Sequence, residues 1–221
     1  MSITDLNPPS PRFCQLAPLI VIEGPAHTGR TTLARAFARA AAPAVLITAR
    51  PHGDDPGRPK NEWVMRAYHM ALVAQAQEYR ARGIGVVMDG HWLGRVIDGC
   101  AAERLLPSRA LTYRRWFGPL FTRLKAFYVF CLDEARVPGL HASSEEDALR
   151  VEQLRQYSLE CDDRLAYGER VAPYLWRTNG ATPEALERFA KLVLSLAMAP
   201  AAEPSKPSGP ADLASPGALP T

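Results

Sequence analysis

The sequence predicts an α/β fold in which a parallel sheet of about five strands carries helices on both faces. Three observations lead to this fold class. Short apolar runs alternate with segments of helical periodicity, the apolar runs are continuous, and a glycine-rich turn follows the first of them. Continuous apolar strands that alternate with helices are typical of parallel sheets covered on both faces.

Five apolar runs are interpreted as strands, because each is short and is bounded by turn residues or charged residues. They span Leu19–Ile22, Ala44–Thr48, Ile84–Met88, Phe127–Leu132 and Tyr174–Arg177. The first run ends at Glu23-Gly24 and the third ends at Asp89. Ligands of such sheets bind beyond the carboxyl ends of the strands, so the residues that follow each strand are the functional candidates.

The intervening segments have the spacing of helices. They span Thr31–Ala41, Asn61–Arg82, Glu145–Ala166 and Pro183–Ala197, and the third is either one polar helix or a pair. Thr182 is expected to cap the last helix, because the proline that follows it suits a first helical turn. Residues 1–18 are predicted to form an irregular arm and residues 19–197 the folded domain. Residues 198–221 contain six prolines and no aromatic residue, which predicts a disordered tail.

Composition excludes several classes of protein. The chain has 221 residues, of which 47% are hydrophobic and 22% are charged, and its formal net charge is only +3. This charge argues against a nucleic-acid coat protein or a polybasic membrane anchor. We expect no membrane span, since no apolar stretch approaches ~20 residues, and no signal peptide. The four cysteines lack metal-site or redox-site spacing, which predicts reduced thiols and a cytoplasmic location.

The segment after the first strand fits a phosphate-binding pattern, G-x-x-x-x-G-K-[ST], except that Arg30 replaces the lysine. Backbone N–H groups of such a loop surround phosphates, and the following helix N-terminus adds positive partial charge. The predicted ATP contacts are Gly24, Ala26, His27, Thr28, Gly29, Arg30, Thr31 and Thr32, with the Thr31 hydroxyl as a Mg²⁺ ligand. Two alternatives stay open: a glycine-rich turn without a ligand, and a loop that binds nucleotide but transfers nothing because of Arg30.

Three further segments, each after a strand, strengthen this interpretation. Thr48-Ala49-Arg50-Pro51-His52-Gly53 is similar to a T-R-E-P-G-G segment, and Asp89-Gly90-His91-Trp92 is similar to a D-R-[YWH] motif. Thr178-Asn179-Gly180-Ala181-Thr182-Pro183-Glu184 is similar to a loop that packs near an adenine base. With the phosphate loop, these motifs make residues 19–197 resemble the P-loop nucleotide kinases, specifically the thymidylate kinase and deoxynucleoside kinase group, which has phage members.

The resemblance implies a three-layer P-loop NTPase-type fold with a helical lid, and a phosphoryl transfer that uses ATP and Mg²⁺. Asp89 would orient Mg²⁺ or accept the proton of an attacking hydroxyl. Arg30 and a lid arginine, Arg136, would stabilise charge on the transferred group; Arg150 and Arg155 are further lid candidates. Asn179 and Ala181 would lie near the adenine, and Arg50 near the acceptor phosphate. If a phage encodes the chain, the location is the host cytoplasm.

One departure from the kinase pattern concerns the acceptor. The arginine that follows the aspartate in these kinases is Gly90 here, which puts a free monophosphate acceptor in doubt. Arg95, about one helical turn further on, is a candidate replacement, and His91 and Trp92 are the other candidate substrate contacts of this motif. Alternatively, the acceptor is a hydroxyl on a larger nucleic-acid substrate, for which Gly90 leaves room.

A basic and aromatic segment, residues 103–125, favours that second acceptor. It contains six basic residues against one acid, and four aromatic residues lie between them. Arginines beside aromatic rings suit a nucleotide or a single strand, which needs neutralised phosphates and stacked bases. Arg114 and Arg115 are the candidate substrate contacts here. The alternative interpretation is a solvated helix face with an apolar core side.

The sequence therefore supports an ATP-dependent kinase of a nucleotide-type acceptor, similar to thymidylate or deoxynucleotide kinases. A second version phosphorylates the hydroxyl of 5-hydroxymethyluracil in phage-type DNA. A hypothesis of another class is a non-catalytic, nucleotide-binding regulatory protein with a degenerate loop.

Overall fold

The computed structural model describes residues 17–25, 28–49, 62–102, 105–132, 144–175 and 182–199. Its strands are β1 (Leu19–Glu23), β2 (Ala44–Thr48), β3 (Gly85–Asp89), β4 (Phe127–Leu132) and β5 (Val171–Leu175). Its helices are α1 (Arg30–Ala40), α2 (Glu62–Ala81), α3 (Trp92–Ala101), α4 (Pro107–Arg123), α5 (Glu145–Ala166) and α6 (Pro183–Met198). The described helices include none that is both long enough and apolar enough to cross a membrane.

The five strands form one parallel sheet in the order β2-β3-β1-β4-β5. The central strand β1 is buried along its whole length, and Ile22 pairs with Asp89 on one side and Val129 on the other. This register brings the carboxyl ends of β1, β3 and β4 to one edge. The predicted parallel sheet is confirmed, and the segments that follow β1 and β3 are neighbours at its edge.

The two faces of the sheet are covered by separate apolar clusters. Leu19 and Val21 of β1 pack with residues of α2 to α5, whereas Ile20 and Ile22 pack with residues of α1 and α6. Successive strand side chains point to opposite faces, so a continuous apolar strand serves both clusters. This arrangement confirms the predicted three layers.

The main difference from the expected elements is the last strand. β5 spans Val171–Leu175, so it begins three residues before the predicted Tyr174, and Pro173 lies inside it. Among the described strands β5 pairs with β4 only, at the edge of the sheet, where a proline is tolerated because one side of the strand needs no partner. The polar segment 145–166 is one helix, which Ser144 caps by accepting a hydrogen bond from the Asp147 N–H. Thr182 caps α6 in the same way through the Ala185 N–H.

Two neutral histidines lie inside the layer of α2 to α5. The rings of His69 and His91 are 4.8 Å apart, and aromatic side chains of α4 surround them. The His91 Nε2 atom lies 3.2 Å from the backbone carbonyl oxygen of His69. Burial lowers the pKa of His69 to about 4 and lowers the pKa of His91 well below its ordinary value. Both rings are therefore neutral at physiological pH, as core residues.

The two histidines contribute stability that we expect to be lost as the pH drops below about 6.5, where the unfolded chain protonates them and the folded chain does not. The lowering of the His69 pKa from 6.5 to about 4 corresponds to about 3 kcal/mol lost by pH 4. His69→Leu removes that part of the pH dependence, which urea unfolding between pH 4.5 and 8 measures. Met70→Leu, at an exposed position of the same helix, is the control. An identical pH dependence in both variants would contradict the prediction.

Candidate active site

Both glycines of the turn between β1 and α1 have positive φ. Gly24 is buried with φ of 149°, and Gly29, which precedes the first residue of α1, has φ of 78°. These are conformations that favour glycine. The Thr28 hydroxyl donates to the Pro25 carbonyl at 2.9 Å. No acid lies in the first turn of α1, so the helix N-terminus keeps its positive partial charge for an anion.

Gly24 has no room for a side chain. A Cβ atom there would lie 2.5 Å from the Cys131 carbonyl oxygen of β4. We expect Gly24→Ala to lower the free energy of unfolding by about 2–4 kcal/mol, from the strained φ and the steric overlap together. Gly83→Ala is the matched control, because Gly83 also has a positive φ, 76°, but open space around it. Urea unfolding measures the free energy of unfolding of both variants. Equal losses of that free energy would show that the close approach of Gly24 to Cys131 does not itself make a side chain at position 24 destabilising.

Asp89, at the end of β3, joins the two predicted functional residues of α1. Its Oδ1 atom accepts a hydrogen bond from Arg30 Nε at 2.9 Å, and its Oδ2 atom accepts one from the Thr31 hydroxyl at 2.7 Å. Arg30 also donates from a terminal guanidinium nitrogen to the Gly24 carbonyl at 2.8 Å. The Asp89 side chain is 1% exposed and the Arg30 side chain 13% exposed. The structure thus brings Gly24, Arg30, Thr31 and Asp89 together.

The charge on Arg30 is stabilised at this position. Burial alone would lower the pKa of its guanidinium, but the side chains of Tyr157, Glu23 and Asp89 together raise it. Asp89 compensates the Arg30 charge in this ion pair, so the positive partial charge of the α1 N-terminus is what favours an anion at the mouth of the loop.

The oxygen donors at this point fit Mg²⁺. This ion is usually held by one or two protein oxygens and by the phosphates of a nucleotide, and it keeps several water molecules. The Thr31 hydroxyl and the Asp89 carboxylate supply two such oxygens, and Thr31 is exposed. In the described part of the chain no group of three or more His, Cys, Asp or Glu side chains has the arrangement of a metal site. A metal at Thr31 and Asp89 therefore needs further oxygens from a bound phosphate and water.

Gly90 lies beside the arginine of the loop, and its positive φ, not a lack of space, is what favours glycine there. It has φ of 74°, and a Cβ atom there would lie 3.5 Å from the Arg30 guanidinium carbon. The guanidinium group that the related motif places after the aspartate is absent, but the Arg30 guanidinium occupies the adjoining space. The two departures from the kinase pattern, at positions 30 and 90, are therefore neighbours in the structure.

The other residues of the 89–92 motif lie in the interior. The His91 backbone N–H donates to Glu23 at 3.0 Å, and its ring is part of the buried histidine pair. Trp92 is 1% exposed and stacks on Phe117 in the core. Both side chains are buried, so the structure does not present them to a substrate in the way that the sequence motif predicts. A bulky residue that follows a strand can fill the core as well as a ligand site, and the sequence does not distinguish the two.

Arg95 lies in a polar cluster that joins α2, α3 and α4. It donates to Glu62 at 3.0 Å, and the Tyr113 hydroxyl donates to the other Glu62 oxygen at 2.7 Å. The Arg66 guanidinium lies 5.2 to 5.5 Å from the rings of Trp63, Tyr113 and Trp116. The sequence does not mark Glu62, Trp63 and Arg66 as site residues, because an ordinary amphipathic helix has the same residue types at the same spacing.

The basic segment divides between the core and the surface. Tyr113, Phe117 and Phe121 are buried, so these three rings belong to the apolar side of α4, as the alternative interpretation states. Trp116 is half exposed and Arg115 is exposed. Arg114 is paired with Glu160 of α5 at 2.6 Å. Only the outward side of α4 can therefore meet a substrate.

Several predicted site residues lie outside the described residues. They are Ala26, His27, Arg50, Arg136, Asn179 and Ala181. The lid candidates Arg150 and Arg155 belong to α5, where they pair with Glu146 and Glu152 of the same helix.

Comparison with solved structures agrees with this architecture. A thymidylate kinase from Candida albicans is 15% identical, with a TM-score of 0.55; the match covers 82% of this chain and 92% of that one. Deoxyadenosine kinase from M. mycoides with bound dCTP is 10% identical, with a TM-score of 0.46, and 80% and 98% of the two chains are covered. No protein-family model and no curated protein matches the sequence. The parallel five-stranded sheet, the glycine turn after β1 and the first of these likenesses together show that the chain has the fold of the P-loop nucleotide kinases.

Proposed function

We propose that this chain is an ATP-dependent phosphotransferase that acts on a nucleotide-type acceptor. The observation that carries the proposal is the contact of Asp89 with both Arg30 and Thr31 at the start of α1. A phosphate-binding turn, a fixed cation and a pair of metal-binding oxygens meet at one edge of the sheet. Phosphoryl transfer needs these three elements, because its catalysis is mainly positioning and electrostatic stabilisation.

Each group of this site has a proposed role. The backbone N–H groups of the loop and of the α1 N-terminus hold the phosphates of ATP. Thr31 and Asp89 would hold Mg²⁺, which would supply positive charge beside the phosphates of the nucleotide. Thr32, exposed beside Thr31, supplies a further hydroxyl for the phosphates. Arg136 from the lid, and Asn179 and Ala181 near the adenine, complete the donor site in this proposal.

Arg30 changes partners in the proposed cycle. In the structure its guanidinium is satisfied by Asp89 and by the Gly24 carbonyl. A bound triphosphate offers phosphate oxygens in place of the Gly24 carbonyl, and the planar guanidinium can bind two of them at once. The Arg30 charge then stabilises the charge that spreads over the transferred group in the transition state.

We assign the acceptor to Glu62 and Arg95, with Arg66 beside them; the buried Tyr113 hydroxyl holds Glu62 in place. His69, two turns along α2 from Glu62, contacts His91, which lies two residues after Asp89. A path of packed side chains, from Tyr113 through His69 to His91, therefore links the cluster to the turn that follows Asp89. Its carboxylate and guanidinium groups suit the polar edge of a nucleobase, and the exposed Trp63 and Trp116 rings suit its flat face. Arg50 would meet the acceptor phosphate.

A second acceptor, a modified pyrimidine in DNA, is favoured by the outward side of α4. Trp63 of α2 is 68% exposed and Trp116 of α4 is 50% exposed, and the Arg66 guanidinium lies 5.2 and 5.4 Å from their rings. The 17 residues of α4 include four arginines and no acid. Exposed aromatic rings with basic neighbours are typical of surfaces that stack bases beside a phosphate backbone. Arg115 is the candidate backbone contact.

Transfer of labelled phosphate from ATP across a panel of acceptors tests the proposal. The panel contains dTMP, other deoxynucleotides, free nucleosides, and DNA with and without 5-hydroxymethyluracil. Transfer to a deoxynucleotide supports the first acceptor, and transfer only to the modified DNA supports the second. Tight ATP binding without transfer to any member would favour the non-catalytic regulatory protein and would overturn the proposed activity.

A further inference from the structure

The last residue of the central strand, Glu23, is a buried carboxylate that the proposed reaction does not use. β1 lies between β3 and β4, and the Glu23 side chain has no exposed surface. Strand alternation places it on the face of Leu19 and Val21, toward the layer of α2 to α5. A carboxylate is costly in such a place unless its charge is compensated or bonded. Its contacts therefore indicate its purpose.

One oxygen of Glu23 holds the turn that follows β3. The Oε1 atom accepts a hydrogen bond from the His91 backbone N–H at 3.0 Å. His91 precedes the first residue of α3, its own side chain does not cap that helix, and the first turn of α3 has no acid. The Glu23 carboxylate thus supplies the negative charge that a helix N-terminus favours. It does so from a neighbouring strand, one residue before the phosphate loop.

The other oxygen of Glu23 faces the α3 backbone. The Oε2 atom is buried close to the Gly94 backbone N–H, which favours the ionised carboxylate, although no hydrogen bond of ordinary geometry forms there. A Cβ atom on Gly94 would lie 3.1 Å from this oxygen and 3.2 Å from the Tyr157 hydroxyl, so only glycine lets α3 approach so closely. The Tyr157 hydroxyl donates to Asp98 at 3.4 Å. The first turn of α3 is therefore packed directly onto the Glu23 carboxylate.

Several titratable groups surround Glu23. They are Arg30 of α1, Asp98 of α3, Tyr157 of α5, and Tyr128 and Cys131 of β4. Burial raises the pKa of Glu23 to about 7, although the Arg30 charge opposes this effect. The Glu23 carboxyl is thus partly ionised near neutral pH, and its ionised form is attracted to Arg30.

We propose that Glu23 is a positioning residue, which holds the Asp89–His91 turn against the phosphate loop and thereby fixes Asp89 relative to Arg30 and Thr31. The inference rests on the proposed phosphotransferase function. Glu23 adjoins Gly24 in sequence and bonds His91 in space. One side chain therefore connects the start of the loop to the turn that carries Asp89.

Glu23→Gln tests this role with little change in shape. Glutamine keeps an oxygen that accepts the His91 N–H but loses the charge, and charge-assisted hydrogen bonds are roughly twice as strong as neutral ones. We expect kcat to fall roughly tenfold with the KM for ATP within about twofold of wild type. The wild-type rate is expected to rise with pH through about 7, a dependence that the variant lacks. Glu78→Gln, at an exposed position of α2, is the control and leaves both parameters unchanged.

A double variant separates positioning from general destabilisation. If Glu23 acts through Asp89, then Glu23→Gln combined with Asp89→Asn is no slower than Asp89→Asn alone. A double variant that is slower than Asp89→Asn by the full factor of the Glu23→Gln loss would overturn the inference. A wild-type kcat and pH profile in Glu23→Gln would overturn it as well.

Amide hydrogen exchange gives a readout that needs no substrate. We expect the His91 amide to exchange at least several-fold faster in Glu23→Gln than in wild type, while amides of β1 are unchanged. Unchanged protection at His91 would overturn the inference. A different outcome is that the wild type transfers no phosphate while the His91 amide exchanges faster in the variant. This result would refute the proposed function but would still show that Glu23 holds the turn that follows β3.

Discussion

Replacement of Arg30 by alanine is expected to lower the rate of phosphoryl transfer by at least about a hundredfold, a typical loss when one charged donor is removed from a transition state. The guanidinium is already fixed at the loop, 2.9 Å from Asp89 and 2.8 Å from the Gly24 carbonyl. Little reorganisation is therefore needed before it meets the phosphates. Initial rates of labelled-phosphate transfer at saturating ATP measure the effect.

The same substitution also removes the partner of a buried carboxylate. Asp89 is 1% exposed, and removal of one member of a buried ion pair typically costs about 3–5 kcal/mol. Urea unfolding must therefore accompany the kinetics. Arg30→Lys is the matched variant, because it keeps the charge and the fold but loses the planar pair of donors. A folded Arg30→Ala variant with the wild-type rate would remove Arg30 from the mechanism.

The sequence predicts the parts of the fold that depend on local pattern. The β-branched and apolar runs of β1, β3 and β4 are buried on both faces, so their continuity in sequence is sufficient to identify them. The same reasoning placed the start of β5 three residues too late, because the first half of this edge strand contains a proline and has a weaker pattern than the Tyr174-Leu175 end. Thr182 was identifiable as a cap from two neighbouring residues alone.

The sequence predicts only those residues of the candidate site that directly follow a strand. Asp89 and the loop each follow a strand, so their meeting at one edge follows from a parallel sheet. The direct bond from Arg30 to Asp89 spans 59 residues and has no local signal. Glu62, Arg95 and Tyr113 likewise come from three helices, whose relative packing no local pattern contains. His91 and Trp92 follow a strand and match a motif, yet both side chains are buried in the core.

Two buried titratable groups oppose each other in their effect on stability. The raised pKa of Glu23 means that its contribution is complete below about pH 4.5 and is lost as the pH rises to about 7. The lowered pKa of His69 has the opposite effect, since its contribution is lost as the pH falls. Above pH 7 the ionised Glu23 thus costs about 3 kcal/mol relative to a protonated one. Proteins tolerate such a loss of stability at positions where the charge has a function, which is the role proposed for the Glu23 carboxylate.

Asp89→Asn is expected to lower the transfer rate by at least about a hundredfold and to raise the Mg²⁺ concentration needed for half-maximal rate. Asparagine has nearly the same shape, so the Thr31 hydroxyl and Arg30 keep a neighbour at 2.7 to 2.9 Å. The substitution removes the negative charge that both Mg²⁺ and the Arg30 guanidinium require. Rates measured over a range of Mg²⁺ concentrations separate weaker metal binding from a slower chemical step.

Asp162→Asn, at an exposed position of α5, is the control for loss of a single carboxylate and is expected to keep the wild-type rate and Mg²⁺ dependence. ATP binding should survive in Asp89→Asn, because the backbone N–H groups of the loop and the α1 N-terminus are untouched. Intact binding with a lost rate places Asp89 in the transfer step. An Asp89→Asn variant with unchanged rate and Mg²⁺ dependence would reduce its contacts with Arg30 and Thr31 to a structural role in closing the loop onto β3.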